Sequence, residues 1–506
     1  MPGARVPWAE SVADQRSGTQ SASGSHRRTV LVELRCCELC GAQRAHRRQR
    51  PCSAHCGAGS RRVNGFLALL SRTVDVDGSA PVVEPAEVFA AVAALDLDPG
   101  APVLIALPNG KAMLSTFFAV LLSGAVPVPI APASASTRIA SIAERLGAAA
   151  LIATRIDPAR YGAVQVVSLP GAEAVRFISP HSAGPQQRHS PGDVVLMTSG
   201  TAGIGSGCLH SFEALLRNAT WHADAIGQRS TDTVLLCLPL HYSYALVAQA
   251  LAALVRGSRL VISGPPFTPQ AYAAEVAEHD VTVSSLTPSA ATRLLDIPAT
   301  LRVLTVGGDA LDPQCIRPLL GGNRELYLTY GLTEAGPRVS TLAVHAEPEH
   351  RWSSVGLPLP GVWTALREGE LLVTSSTVLR RRLPDGLPSP LTATGAVATG
   401  DRFEIDADGY HFFRGRLSDS VVVGGEKVWL PSVRRIATQV PGVRHCRTTV
   451  YRDDRDELRY DLEVSMDDPG PQQAAAIQRA LNQVLLRSER PHRITVRATT
   501  EEGWHK

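Results

Sequence analysis

Met197-Thr198-Ser199-Gly200-Thr201-Ala202-Gly203-Ile204-Gly205-Ser206-Gly207 places four glycines and four small hydroxyl residues within eleven positions. An apolar run, residues 194–197, leads in, and a helix-compatible run, residues 211–217, leads out. The pattern predicts a strand, a glycine loop and a helix. That arrangement turns backbone N–H groups toward a phosphate and adds the positive N-terminal end of the helix. A bare glycine loop is also consistent with an ordinary flexible connection, so its meaning depends on the rest of the chain.

Upstream, residues 66–70 and 88–95 read as helices. Val103-Leu104-Ile105-Ala106-Leu107, closed by Pro108-Asn109-Gly110, reads as a strand and turn. A mostly apolar helix over 113–122, a strand over 126–130, a helix over 138–146 and a strand over 150–153 follow. Residues 171–191 form a polar, proline-containing stretch. Downstream, strands are expected over 234–238, 259–263, 281–286 and 302–306, with a helix over 246–255 that is apolar on all faces. Alternating strands and helices imply βαβ units and a largely parallel sheet. From 361 to 413 short alternating strands between Gly and Pro turns predict a β subdomain. Residues 416–506 read as hairpin-like strands and an amphipathic helix over 472–487, the size of a small α+β domain. The expected fold class is α/β, with a large domain over 63–415 and a small α+β lid domain over 416–506.

A chain of 506 residues is too long for one core. Hydrophobic content of 44% and charged content of 19% suit a globular protein, and no run of 18 apolar residues predicts a membrane span. The net charge of +3 hides an asymmetry: residues 1–62 carry eleven arginines against Glu10, Asp14, Glu33 and Glu38, which is +7 and leaves −4 elsewhere. No nucleic-acid partner is therefore expected outside that basic extension. The extension lacks the apolar segment of a secretory signal, so the expected location is the cytoplasm. It also holds Cys36, Cys37, Cys40, Cys52 and Cys56, with His46 and His55 nearby. The spacing resembles a four-ligand zinc site, but few apolar residues surround it, so residues 1–62 are expected to be a disordered extension, one that a mis-assigned start codon would also produce. Lys111, Lys427 and Lys506 are the only lysines against 47 arginines, so chemistry that needs an ammonium has three candidates.

The order of motifs resembles the adenylate-forming superfamily: acyl- and aryl-CoA synthetases, firefly-luciferase-like enzymes and nonribosomal adenylation domains. The resemblance runs from about residue 66 to the C-terminus. Thr198-Ser199-Gly200-Thr201-Ala202-Gly203 matches the phosphate loop, and Tyr330-Gly331-Leu332-Thr333-Glu334 the adenine and metal motif. Thr399-Gly400-Asp401 matches the ribose motif. Gly415-Arg416 and Gly424-Gly425-Glu426-Lys427-Val428 match the hinge and the start of the C-terminal domain.

The resemblance implies an ATP-dependent acid–thiol ligase. Such an enzyme activates an aryl or fatty acid as acyl-AMP, then passes the acyl group to CoA or to the phosphopantetheine of an acyl carrier protein. It implies that Thr198, Ser199, Gly200, Thr201 and Gly203 hold phosphates, that Glu334 ligates Mg²⁺ through hard oxygen, and that Thr333 bonds the α-phosphate. Tyr330 is expected against adenine, Asp401 against the ribose hydroxyls and Arg416 near ribose or phosphate. His241, Tyr242, Gly307 and Gly308 are expected to line the acid pocket, although a core histidine at a strand end is an equal reading of His241. The amino-acid-activating branch has an Asp at that place, which is absent here, so an α-amino acid is disfavoured. Gly424 and Gly425 belong to the thiol-acceptor region.

Two departures matter. The loop continues as Gly205-Ser206-Gly207 where the family has Pro-Lys-Gly, so its cation is missing. The family's C-terminal Thr-x-x-Gly-Lys is here Thr500-Glu501-Glu502-Gly503-Trp504, with Lys506 two positions late as the surrogate catalytic lysine. At the hinge, Ser418 stands where an acidic residue is usual. These gaps keep a second reading: a degenerate member that binds nucleotide or acyl-adenylate, or performs only the thioesterification half.

Overall fold

The computed structural model describes residues 53–76, 81–161, 166–177, 189–198, 206–264, 266–294, 296–417, 420–455, 457–466, 470 and 472–498, with backbone only for 53–61. Residues 1–64 and 65–506 form two compact units, and the elements that follow belong to the second. Cys36, Cys37, Cys40, His46 and Cys52 of the extension, the loop residues 199–205 and the terminus from 499 lie outside the described residues.

The apolar runs become strands for a simple reason. Pro102–Ala106, Val126–Pro129 and Ala150–Ala153 are buried at every position, and a parallel strand covered on both faces needs apolar side chains throughout. These three pair in parallel. Ala172–Arg176 and Val166–Leu169 extend the same sheet in the antiparallel sense. The first of them falls in the polar, proline-containing stretch, where Ala174 and Val175 are buried in the core.

A larger sheet of eight strands runs in the order Thr73–Asp75, Arg259–Ile262, Thr233–Leu236, Val283–Leu286, Val303–Gly307, Glu325–Gly331, Arg338–Ala343, Leu357–Pro358. The first six pair in parallel, Arg338–Ala343 pairs antiparallel with Glu325–Gly331, and Leu357–Pro358 pairs antiparallel with Arg338–Ala343. Between the sheets lie apolar helices. Lys111–Leu122 and Phe212–Ala225 bring Phe117, Phe118 and Phe212 into one core with Phe66, whose ring stacks 4.2 Å from that of Phe118. The all-apolar segment is helical as expected, with a π-helical stretch over Leu246–Leu251.

The glycine loop is framed differently from the expected strand–loop–helix. Asp193–Thr198 is followed by a second strand, Ser206–Ser211, paired antiparallel from Thr198↔Ser206 to Asp193↔Ser211. The helix Phe212–Ala225 starts only after it, where Ser211 accepts from Ala214 N–H at 3.2 Å as its cap. Six residues of extended chain, about 20 Å, thus separate the loop from that helix, so this helix end does not serve the loop. Gly207 shows why the pairing wins: a Cβ there would stand 2.6 Å from Val195 Cγ1. That glycine serves strand packing.

Residues 362–416 form the four-stranded antiparallel sheet expected as a β subdomain. Beyond it, the hairpin Ser420–Val423/Glu426–Trp429, the helix Leu430–Thr438 and the three-stranded sheet Val443–Arg452, Leu458–Met466, Arg493–Ala498 enclose their own core around Val428, Tyr460, Leu462 and Ile477. The amphipathic helix covers Gln473–Asn482 and ends short of 487. There Glu489 accepts from Leu486 N–H at 2.8 Å and pairs with Arg138 at 2.5 Å, turning the chain back.

Candidate active site

A cavity of about 450 Å³ opens where the C-terminal ends of the parallel strands meet the segment 424–427. Ligand sites in open α/β sheets gather at such strand ends because loops, not ladders, shape them. Its wall includes Thr198, Tyr242, Gly308, Thr333, Glu334, Arg416, Gly424, Gly425 and Lys427. Residues widely separated in sequence are thereby brought to one place.

The motif at 330–334 sits at the end of Glu325–Gly331 and in the turn Thr333–Ala335. The chain doubles back so tightly that a Cβ on Gly331 would stand 1.8 Å from the Pro337 carbonyl oxygen. Thr333 Oγ1 lies 2.9 Å from Ser243 Oγ. Glu334 Oε1 accepts from Arg382 Nη2 at 3.1 Å, both side chains being mostly buried. Arg382 comes from the strand Arg381–Leu383, which pairs with Ser206–Ser211 beside the glycine loop. Thr198 Oγ1 and Ser206 Oγ stand 3.2 Å apart across the mouth of that loop. Ser199, Gly200, Thr201, Gly203 and Lys506 lie outside the described residues.

Asp401 is fully buried in the strand Val397–Ile405. Tyr330 Oη donates to its Oδ2 at 2.7 Å, and Arg416 Nη1 stands 2.6 Å from its Oδ1. Burial, then the Asp401 charge, holds the Tyr330 phenol well above its usual range, so it stays a donor. The Tyr330 ring packs edge-on against Phe403 at 4.8 Å.

Lys427 completes the charged group. Burial, and then Arg416, lower its pKa, while Glu334 and Asp401 oppose that shift. Its neighbour Glu426 is also buried, which raises its carboxyl pKa; it accepts from Tyr242 and Ser488. Gly424 and Gly425 both have positive φ, and a Cβ on Gly425 would stand 2.6 Å from Thr287 Cγ2. Glycine lets this segment lie against the Thr287–Gly308 rim.

The acid-pocket residues divide. Tyr242 and Gly308 line the cavity. Gly307 lies behind it in the strand Val303–Gly307, where a Cβ would stand 2.3 Å from Thr329 Oγ1. His241 packs its ring 4.2 Å from that of Tyr242, and burial, aided by Arg138, pushes its pKa down to about 4, so it is neutral. Arg338, Arg293, Phe267 and Thr287 also line the cavity, and reading the sequence alone passed over them, as it did Arg382. In a chain with 47 arginines no single one stands out. Lys427 carried more signal, being one of three lysines and following Gly424-Gly425-Glu426.

The AMP-binding enzyme family model matches residues 86–375. The long-chain-fatty-acid–CoA ligase FadD13 of Mycobacterium tuberculosis is 25% identical over 381 residues, covering 69% of this chain and 75% of that protein. A 2-succinylbenzoate–CoA ligase of Staphylococcus epidermidis is 27% identical over 273 residues, 51% of this chain and 56% of that one. In fold, the chain is similar to the o-succinylbenzoate CoA synthetase (MenE) of Bacillus subtilis bound with a product analogue, with a TM-score of 0.72 at 19% identity over 85% of this chain and 94% of the other. A malonyl-CoA ligase in a ternary product complex gives 0.68 at 24% identity, over 85% and 98%. The family match spans more than half the chain, and it carries the conclusion: this protein belongs to the AMP-binding enzyme family, the adenylate-forming superfamily, and is acyl-CoA synthetase-like.

Proposed function

We propose that the protein is an ATP-dependent, AMP-forming acid–thiol ligase. One observation carries this reading beyond family membership: Thr333 and Glu334, the pocket residues Tyr242 and Gly308, and the segment Gly424–Lys427 face a single cavity. A site that runs both half-reactions needs its phosphate groups, acid pocket and thiol approach to meet at one carbon.

In the first half, a carboxylate oxygen of the acid attacks the α-phosphorus, the O–P bond forms and pyrophosphate leaves. Two anions are brought together, so the barrier falls where charge is neutralised and the reactants are held in line. Thr333 and the loop hydroxyls Thr198, Ser199 and Thr201 donate to phosphate oxygens, and the glycines Gly200 and Gly203 let the backbone approach. Arg382 stands beside the loop that lacks its lysine, and Lys427 faces Glu334; these two cations are suited to supply the missing charge. Glu334 has one oxygen on Arg382, and its other would be the hard oxygen ligand for Mg²⁺, which when bound would neutralise phosphate charge. The ribose hydroxyls are assigned to Asp401, which would exchange its bonds with Tyr330 and Arg416 for them. In the second half, a thiolate attacks the acyl carbon, the C–O bond breaks and AMP leaves. The approach of pantetheine, on CoA or a carrier protein, is assigned to Gly424 and Gly425, which line the cavity without side chains of their own. The reaction is assigned to the cytoplasm, where ATP is at hand; among the described residues no helix is long and apolar enough to cross a membrane.

Pyrophosphate release with ATP, Mg²⁺ and CoA, assayed over a panel of aryl, fatty and dicarboxylic acids, tests the proposal. Release with at least one acid is expected. No release, with ATP binding retained, overturns it and favours a member that performs only the thioesterification half. That second reading draws on the seating of Gly424–Lys427 against the Gly308 rim.

A further inference from the structure

Among the described residues two buried guanidinium groups pair with carboxylates, Arg138 with Glu489 and Arg382 with Glu334, while the partly buried Arg324 donates to backbone carbonyls. Arg338 departs from that pattern. It is 2% exposed, opens the strand Arg338–Ala343 and lines the cavity on the acid side. Its backbone is fixed from both directions by Asn218, whose Nδ2 donates to the Arg338 carbonyl and whose Oδ1 accepts from its N–H, each at 2.9 Å. The guanidinium lies 4.1 Å over the Tyr244 ring and donates to Thr329 Oγ1. Its Nε has no acceptor, and among the described residues no carboxylate pairs with it.

Among the described residues, the surroundings supply dipoles and no paired carboxylate. Tyr244 Oη stands 3.1 Å from Thr305 Oγ1, which donates to Ser285 Oγ at 2.7 Å. His222, buried nearby, is pushed down to about 3 by burial and then by Arg338, so it is neutral. A Cβ on Gly307 would stand 3.2 Å from Arg338 Nη1, so the glycine keeps room for the guanidinium. A buried charge without a counter-ion is costly. A fold that fixes one beside a cavity keeps an electrostatic site for an anion that arrives with the ligand.

Resting on the ligase reading above, we infer that Arg338 is the counter-ion for a second anionic group of the substrate, so the acid activated is a dicarboxylic acid whose remote carboxylate sits on Arg338. The remote carboxylate stays unreacted; the other one attacks the α-phosphorus.

The test compares a dicarboxylic acid with its monomethyl ester, succinate and isophthalate serving as the aliphatic and aryl pairs, on the full chain. Pyrophosphate release gives kcat/KM, and calorimetry without ATP gives binding of each acid. The diacid of at least one pair is expected to be preferred by about tenfold or more, as for a charge-assisted pair. Arg338→Met should remove that preference by lowering kcat/KM for the diacid while sparing the half-ester. Equal use of diacid and half-ester by the unaltered protein, or a parallel loss of both in Arg338→Met, overturns the inference. If no acid releases pyrophosphate, the ligase reading fails and binding decides this one alone: a diacid preference lost in Arg338→Met upholds it, and no preference overturns it. If Arg338→Met does not fold, the comparison in the unaltered protein and in Arg338→Lys, which keeps a cation and should keep the preference, decides in the same way.

Discussion

The two sides of the cavity handle charge in opposite ways. On the side proposed for the nucleotide, Glu334 is held by Arg382 and Asp401 by Arg416, with Lys427 among them. On the acid side, Arg338 lies over Tyr244 and Thr329 with no carboxylate partner among the described residues. Paired charges are preorganised; their cost is already met, and a ligand must exchange partners with them. An unpaired charge leaves its cost outstanding until an anion arrives. On the proposed reading, the difference separates groups that align a common cosubstrate from a group that selects a particular acid.

Breaking the nucleotide side should give the largest effects. Lys427→Met is expected to slow pyrophosphate release by about 10²–10³-fold, as for removal of one preorganised transition-state donor. Steady-state kinetics check this, and an unchanged kcat would remove Lys427 from the machinery. The same variant carries a stability signature. The folded-state pKa of Lys427 lies below 10.5. Between those two values the unfolded chain holds the proton and the folded chain does not, so this group's contribution to stability rises with pH. Urea melts across that alkaline window should show the rise in the unaltered protein and a flatter profile in Lys427→Met.

Asp401→Ala comes next. It strands Arg416 and Tyr330 without their acceptor, and removing one member of a buried pair costs about 3 kcal/mol. Chemical denaturation reads this directly, and an unchanged midpoint would mean that the pair contributes nothing to the fold. Arg382→Gln sharpens the contrast more gently. If Arg382 competes with Mg²⁺ for Glu334, the variant reaches half-maximal activity at lower Mg²⁺, and a titration shows it. A raised Mg²⁺ requirement would mean that the guanidinium holds the carboxylate ready for the metal. Gly425→Ala should have the smallest effect on the first half-reaction. The added Cβ meets Thr287 at 2.6 Å with φ at +84°. Thioester formation should therefore fall while pyrophosphate release persists, which a paired assay of the two products resolves.

How far the sequence reveals this depends on what decides each element. Val103–Leu107 and its counterparts are legible because a strand covered on both faces must be apolar throughout, and that pattern is local. Ser206–Ser211 is not legible. Gly207 and Cys208 have no strand signal of their own; their pairing with Leu196 and Met197 makes them one. Thr333, Glu334, Asp401 and Gly424–Lys427 are legible as motifs; the fold gathers all but Asp401 at one cavity, and Asp401 lies buried behind it against Arg416. The partners that set their electrostatics are not. Arg382 lies in a run of three arginines, and Arg338 follows a proline. Only tertiary contacts separate these from the many arginines on the surface.

Ligase chemistry is tested most directly by an acid labelled with ¹⁸O in its reacting carboxylate, incubated with ATP, Mg²⁺ and CoA and read by mass spectrometry of the nucleotide product. If the carboxylate attacks the α-phosphorus and the thiol then displaces at carbon, one labelled oxygen leaves with the phosphate. The prediction is AMP carrying a single ¹⁸O together with an equimolar thioester. Unlabelled AMP, or ADP in its place, would contradict the account.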